Sequence, residues 1–161
     1  MGLALLIDDD LPLLESIRRA ANLNELAFET AATWDEGLGL FHVLAPSVVI
    51  ADYHMPNSRN GLQLLAEIKR LRPSVRVVLV SAYINDEDVE RVEALNVVDR
   101  ALRKMDLTTV ETILDEIRLA NESDHELTDW VAFANARVRA AQASGEELDR
   151  LDEFFKTNRA P

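Results

Sequence analysis

The feature that most restricts what this chain can fold into is Ser47-Val48-Val49-Ile50-Ala51, an unbroken small and β-branched run that stops on the carboxylate of Asp52. A strand with one wet face alternates apolar and polar residues. A run without a polar member predicts burial on both faces, and therefore a parallel sheet covered by helices. The pattern recurs in Leu3-Ala4-Leu5-Leu6-Ile7, which ends at Asp8-Asp9-Asp10, and in Val75-Arg76-Val77-Val78-Leu79-Val80, which ends at Ser81. Leu26-Ala27-Phe28-Glu29-Thr30-Ala31 alternates, as an edge strand would. Residues 97–104 read as a last strand with Lys104 at its end.

Helical patterns fill the gaps. Asp10 is placed to cap a helix with Pro12 in its first turn and Leu13, Leu14, Ile17 and Ala21 on one stripe. Thr33-Trp34-Asp35-Glu36 is a capping box opening a helix to about Leu44, with Gly37 and Gly39 weakening it before Ala45-Pro46 breaks it. Leu62, Leu65, Ile68 and Leu71 mark a third helix, stopped at Arg72-Pro73. Asn85 caps a short acidic helix running from Asp86 to Leu95, and a capping box at Thr108-Thr109-Val110-Glu111 opens a fifth with Val110, Ile113, Leu114 and Ile117 as its stripe.

Five strands alternating with five helices predict repeated βα units, whose right-handed crossovers place helices on both faces of the sheet. They occupy residues 1–120. Residues 121–161 predict a helical extension without strands, either a hairpin or one broken helix, opened by capping boxes at Ser123 and Ser144. Its apolar residues, among them Leu127, Val131, Leu148, Leu151 and Phe155, suit packing on the first domain, on a second copy or on a partner.

Composition narrows the function classes. With 48% hydrophobic residues the chain is globular, and its net charge of −12 opposes unspecific binding to nucleic acid or anionic membrane. Arg70, Arg72 and Arg76 are the densest candidate for a local basic patch. There is no cysteine, which removes disulfides, thiol nucleophiles and thiolate metal sites. No run approaches a membrane span, and the start of the chain goes directly into a strand pattern, so a soluble cytoplasmic protein is expected.

In open α/β sheets, ligands bind at the carboxyl ends of the strands. That edge would carry Asp8, Asp9, Asp52, Ser81 and Lys104. Carboxylates crowded together repel, and a hard divalent cation with oxygen ligands relieves them; Mg²⁺ suits one or two carboxylates plus waters and phosphate oxygens. A carboxylate can also attack phosphorus to form an aspartyl phosphate when cations offset the charge in transfer. Ser81 would donate a hydrogen bond to such a group, and Lys104 would pair with it.

Ile7-Asp8-Asp9-Asp10, Asp52-Tyr53-His54-Met55-Pro56, Gly61, Val80-Ser81-Ala82 and Lys104 together resemble the receiver domain of two-component response regulators. The resemblance covers residues 1 to about 120. It implies a flavodoxin-like five-stranded parallel sheet of order 2-1-3-4-5 with helices on both faces. It also implies that Asp52 is the phosphoacceptor, that Asp8, Asp9 and the backbone carbonyl of His54 join Asp52 in holding Mg²⁺, that Ser81 is the switch hydroxyl and that Lys104 contacts the phosphoryl group. The phosphoryl donor would be a histidine kinase or a phosphotransfer protein, and the response a changed protein contact or self-association. That contact would use the face of the fourth helix, fifth strand and fifth helix, or the helical extension.

Three positions depart from the family pattern. Met105 stands where the family usually has proline after the lysine, and a non-proline cis bond costs about 2.5–4 kcal/mol, so a trans bond is expected there. Ala101 replaces an aromatic on the fifth strand, leaving Tyr83 as the nearby candidate substitute. The loop after Pro56 is slightly longer than usual. Two other functions stay open: a phosphorylation-independent adaptor acting through its tail, and a metal-dependent phosphatase with Asp52 as nucleophile. The phosphatase lacks an evident general acid, because His54 stands two residues on. No helix-turn-helix, cyclase or phosphodiesterase signature marks the tail, so no direct nucleic-acid binding is expected.

Overall fold

A computed structural model describes residues 2–55, 60–94, 96–104 and 107–122. The order of elements is β1 (Ala4–Ile7), α1 (Leu11–Leu23), β2 (Phe28–Ala31), α2 (Trp34–Leu44), β3 (Val48–Asp52), α3 (Gly61–Leu71), β4 (Arg76–Ser81), α4 (Asp86–Ala94), β5 (Arg100–Arg103) and α5 (Leu107–Glu122). The five strands form one sheet of order β2-β1-β3-β4-β5, every pairing parallel. This is the flavodoxin-like arrangement the sequence predicts. The expected extension in residues 123–161 lies outside the described residues.

Strand alternation divides the core into two clusters. Leu5, Ile7, Val49, Ala51, Val77 and Leu79 face α2 and α3, while Ala4, Leu6, Val48, Ile50, Val78 and Val80 face α1 and α5. Both faces are dry, which is why the central runs are apolar apart from Arg76 at the start of β4. The expected edge strand β2 is at the edge, with three of its four residues half-buried. Trp34 is core, at 5% exposure.

Local capping works largely as read. The Asp10 carboxylate accepts from the Leu13 N–H at 3.1 Å, the Thr33 hydroxyl from Glu36 at 3.2 Å, and Asn85 and Asp88 bond each other's N–H at 2.9 and 3.2 Å. Two details differ. In α3 Leu64, Leu65 and Ile68 are buried with Leu62 half-buried on the same core, while Leu71, the last residue of the helix, is left 43% exposed. The fifth helix begins at Leu107, so Thr108 lies inside its first turn and does not precede it.

Arg70, Arg72 and Arg76 form no basic patch. Arg70 pairs with Glu67 at 2.6 Å, Arg72 lies 4.6 Å over the Phe41 ring, and Arg76 grips Glu116 of α5 through two hydrogen bonds of 2.7 and 3.0 Å. Arg100 adds a third bond to Glu116 at 3.0 Å. Glu116 is 0% exposed, and although burial raises its pKa, the two guanidiniums outweigh that and hold it below the usual carboxylate range. Glu116→Ala strands two arginines that are each about 40% open to water, so we expect a loss of about 2–3 kcal/mol, less than for a fully buried partner, read by chemical denaturation. A loss under about 0.5 kcal/mol would mean the triad contributes nothing net.

Candidate functional site

Register brings the strand ends together. Ile7 pairs with Ala51, which sets Asp8 level with Asp52 on the neighbouring strand. Asp52 pairs with Val80, so Ser81 follows one residue beyond; Ser81 pairs with Arg103, so Lys104 follows next. The Lys104 N–H donates to the Ser81 carbonyl at 2.8 Å, fastening that end of the edge.

The side chains of Asp8, Asp9, Asp52 and Lys104 lie together at this edge. The carboxylate oxygens of Asp8, Asp9 and Asp52 lie within 4.8 Å of one another. Asp8 and Asp52 are buried and Asp9 is exposed. The Lys104 Nζ donates to Asp8 Oδ2 at 2.8 Å and stands 4.0 Å from Asp52 Oδ1. Asp10, read only as a helix cap, caps α1 and also lies 3.6 Å from Lys104. Its place in the charge cluster was not anticipated.

Ser81 is fully buried at the end of β4, and its Oγ accepts from the Tyr83 N–H at 3.2 Å. A hydroxyl that accepts keeps its own proton to donate. His54 is exposed, its ring edge-on to Tyr53 at 5.1 Å and to Tyr83 at 4.6 Å. Tyr83 is 79% exposed at the rim, and the position of the missing strand aromatic is filled by buried Ala101. The Lys104–Met105 peptide bond and the loop 56–59 lie outside the described residues.

Burial is the first cause of the site's electrostatics. It raises the Asp52 pKa, the Asp8 and Asp9 carboxylates add to the rise, and Lys104 and the Tyr53 N–H only partly oppose it, leaving Asp52 at about 7. Asp8 is also raised by burial, against its hydrogen bond to Lys104. Burial lowers Lys104, but the Asp8 hydrogen bond and the surrounding carboxylates raise it further. One ammonium thus faces more negative charge than it can neutralise. A set of carboxylate oxygens this close and this poorly compensated fits a hard cation, and this acidic pocket could hold a metal.

Gly61 contributes in a way the sequence motif alone did not reveal. A Cβ there would overlap the Asp52 carbonyl oxygen and lie 2.7 Å from its carbon, and the Gly61 N–H donates to Tyr53 at 2.8 Å. The start of α3 therefore presses directly on the end of β3.

The model of the response regulator receiver domain matches residues 4–122. This chain belongs to that family. Two uncharacterized response regulatory proteins of Staphylococcus epidermidis are 29% and 30% identical over 136 and 133 residues, which cover 82% and 80% of this chain and 53% and 52% of theirs. The chain thus spans about half the length of the curated relatives it matches. The fold is that of the CheY-like receiver domain of Methanospirillum hungatei, at TM-score 0.62 and 22% identity, over 77% of this chain and 99% of that one. A receiver domain works in two-component signalling. Among the described residues no helix is long and apolar enough to cross a membrane.

Proposed function

We propose that Asp52 accepts a phosphoryl group from the phosphohistidine of a kinase or phosphotransfer protein, and that the chain is a switch with at most self-dephosphorylation, not a turnover enzyme. The observation that carries this is a buried carboxylate on a central strand, with two more carboxylates within 4.8 Å and an ammonium 4.0 Å away. An Asp52 oxygen bonds to phosphorus as the phosphorus–nitrogen bond of the donor breaks, and the imidazole leaves with a proton. Lys104 offsets charge on the transferred oxygens, and Ser81 donates its hydroxyl proton to one of them. Asp8, Asp9, Asp52 and the His54 carbonyl are the groups that would hold Mg²⁺, which when bound supplies the remaining charge neutralisation. The new charge of about −1.5 to −2 then biases the α4–β5–α5 face.

Residues 1–120 act as the receiver and 121–161 as a helical extension, and either that face or the extension carries protein contacts in the cytoplasm; no nucleic acid is bound directly. Incubation with acetyl phosphate and Mg²⁺ is expected to add one phosphoryl group by mass, reversibly, and a chelator to prevent it. Labelling that ignores the chelator, or continuous release of phosphate over many turnovers, would overturn the switch reading in favour of a different chemistry.

A further inference from the structure

The five helices are not attached to the sheet in the same way. Helices α1, α2 and α3 each bury three or more residues, and α5 buries Ile113, Glu116, Ile117 and Ala120, with Asn121 bonding both backbone groups of Ala27 at 2.8 and 2.9 Å. Helix α4 buries none; Val89 and Val92 are only half-buried against the core. What ties α4 to the sheet is polar. Glu93 Oε1 accepts the N–H of Ala101 at 2.9 Å, on the open side of the edge strand β5.

What else holds that helix is local. Asn85 and Asp88 close a capping box at its start, and the Glu87–Arg91 pair at 2.8 Å braces it along its exposed side. Past its end Asn96 sits at φ 54°, a left-handed turn that stops the helix before β5 begins. A nine-residue helix that rests, among the described residues, on one hydrogen bond to β5 and two half-buried valines opens more readily than α5, and off its seat it is too short to keep its own hydrogen bonds.

We propose that Glu93 is a latch: its carboxylate closes α4 over the β5 edge and sets how often this helix opens, independently of the rest of the fold. The latch also satisfies an edge-strand donor that would otherwise face a partner's backbone. Only its coupling to Asp52 rests on the function proposed above. Any phosphoryl-driven pull on Ser81 reaches α4 through residues 82–85, and the latch is what that pull has to break.

The test is amide hydrogen exchange of the whole chain, unphosphorylated, for the parent, Glu93→Ala, Glu93→Gln and Glu90→Ala. Loss of one charge-assisted hydrogen bond is expected to speed exchange in α4 by about tenfold in Glu93→Ala, although alanine is the better helix former, and to leave α5 unchanged. Glutamine retains an acceptor oxygen and should restore most of the protection, and Glu90→Ala, which removes an exposed acid of the same helix, should match the parent. Unchanged α4 exchange in Glu93→Ala, or an equal rise in α4 and α5, would overturn the latch. In a second arm, Mg²⁺ with beryllofluoride should speed α4 exchange in the parent and add little in Glu93→Ala. A silent parent in that arm would count against the Asp52 reading alone, since the first arm does not depend on it.

Discussion

Asp52→Asn is expected to have two opposite effects: no phosphoryl group is accepted from acetyl phosphate, and the metal-free protein becomes more stable. The first follows because an amide nitrogen and carbonyl replace the attacking oxygen anion. The second follows from the electrostatics of the pocket. Asp52 titrates near 7 in the folded chain against an ordinary value of 3.8, so between those two pH values the folded state holds a proton that the unfolded chain has lost. Stability of the metal-free parent therefore falls as pH rises from about 4 to about 7 and is flat above. The full shift corresponds to at most about 4 kcal/mol, and relaxation of water and Lys104 around the carboxylate should leave about 1–2 kcal/mol in practice. Asparagine removes that slope, leaving the smaller one due to Asp8.

The opposite dependence belongs to Asp99 and Glu116. Asp99 is held low by the Lys69 hydrogen bond, which outweighs its burial, and Glu116 by Arg76 and Arg100. Their contribution is lost as pH falls below the ordinary carboxylate range. Thermal melts in chelator should then show a parent most stable at about pH 4 and an Asn variant whose stability falls much less toward neutrality, with melting about 5 °C higher at pH 8. Mg²⁺ should stabilise the parent at pH 8 and the variant much less. An Asn variant that labels like the parent would move the acceptor elsewhere, and one less stable than the parent at pH 8 would show that the carboxylate is not under repulsion.

The site was legible because each of its residues ends a local pattern. An apolar run that stops on Asp8, Asp52 or Ser81 announces both the strand and the edge at which the side chain emerges. Lys104 was placed by the same logic from a weaker strand. What escaped notice depends on residues far apart in sequence. Glu116 lies in α5, and its partners Arg76 and Arg100 are on two strands distant in sequence. The same distance hid the fate of the supposed basic patch and the bond between Glu93 and Ala101. In α3 the stripe holds at Leu65, Ile68 and half-buried Leu62, but Leu64 joins the core and Leu71 does not, because a leucine-rich helix satisfies more than one face and the sheet selects among them.

Gly61→Ala is expected to be the most damaging single methyl group in the described part of the chain. Gly61 has no positive φ, so alanine fits the backbone, and as a better helix former it would by itself stabilise α3 by up to about 1 kcal/mol. Space decides the sign. The new Cβ overlaps the Asp52 carbonyl oxygen and also lies 2.7 Å from its carbon and 3.2 Å from the Tyr53 Cα, all backbone atoms at the end of a strand paired on both sides. Either α3 backs away or the end of β3 bends, at a cost of about 3 kcal/mol and roughly 10 °C in melting temperature. Both movements carry the Asp52 carboxylate off its position by a large fraction of an ångström, for which about a hundredfold loss in acceptance rate is expected. Gly39→Ala is the matched control: nothing lies within 4 Å of its Cβ, so the same substitution inside α2 should raise stability by about 0.5–1 kcal/mol and leave the rate alone. If both alanine variants melt above the parent, helix propensity governs at both glycines and the close approach of α3 to Asp52 does not hold the site.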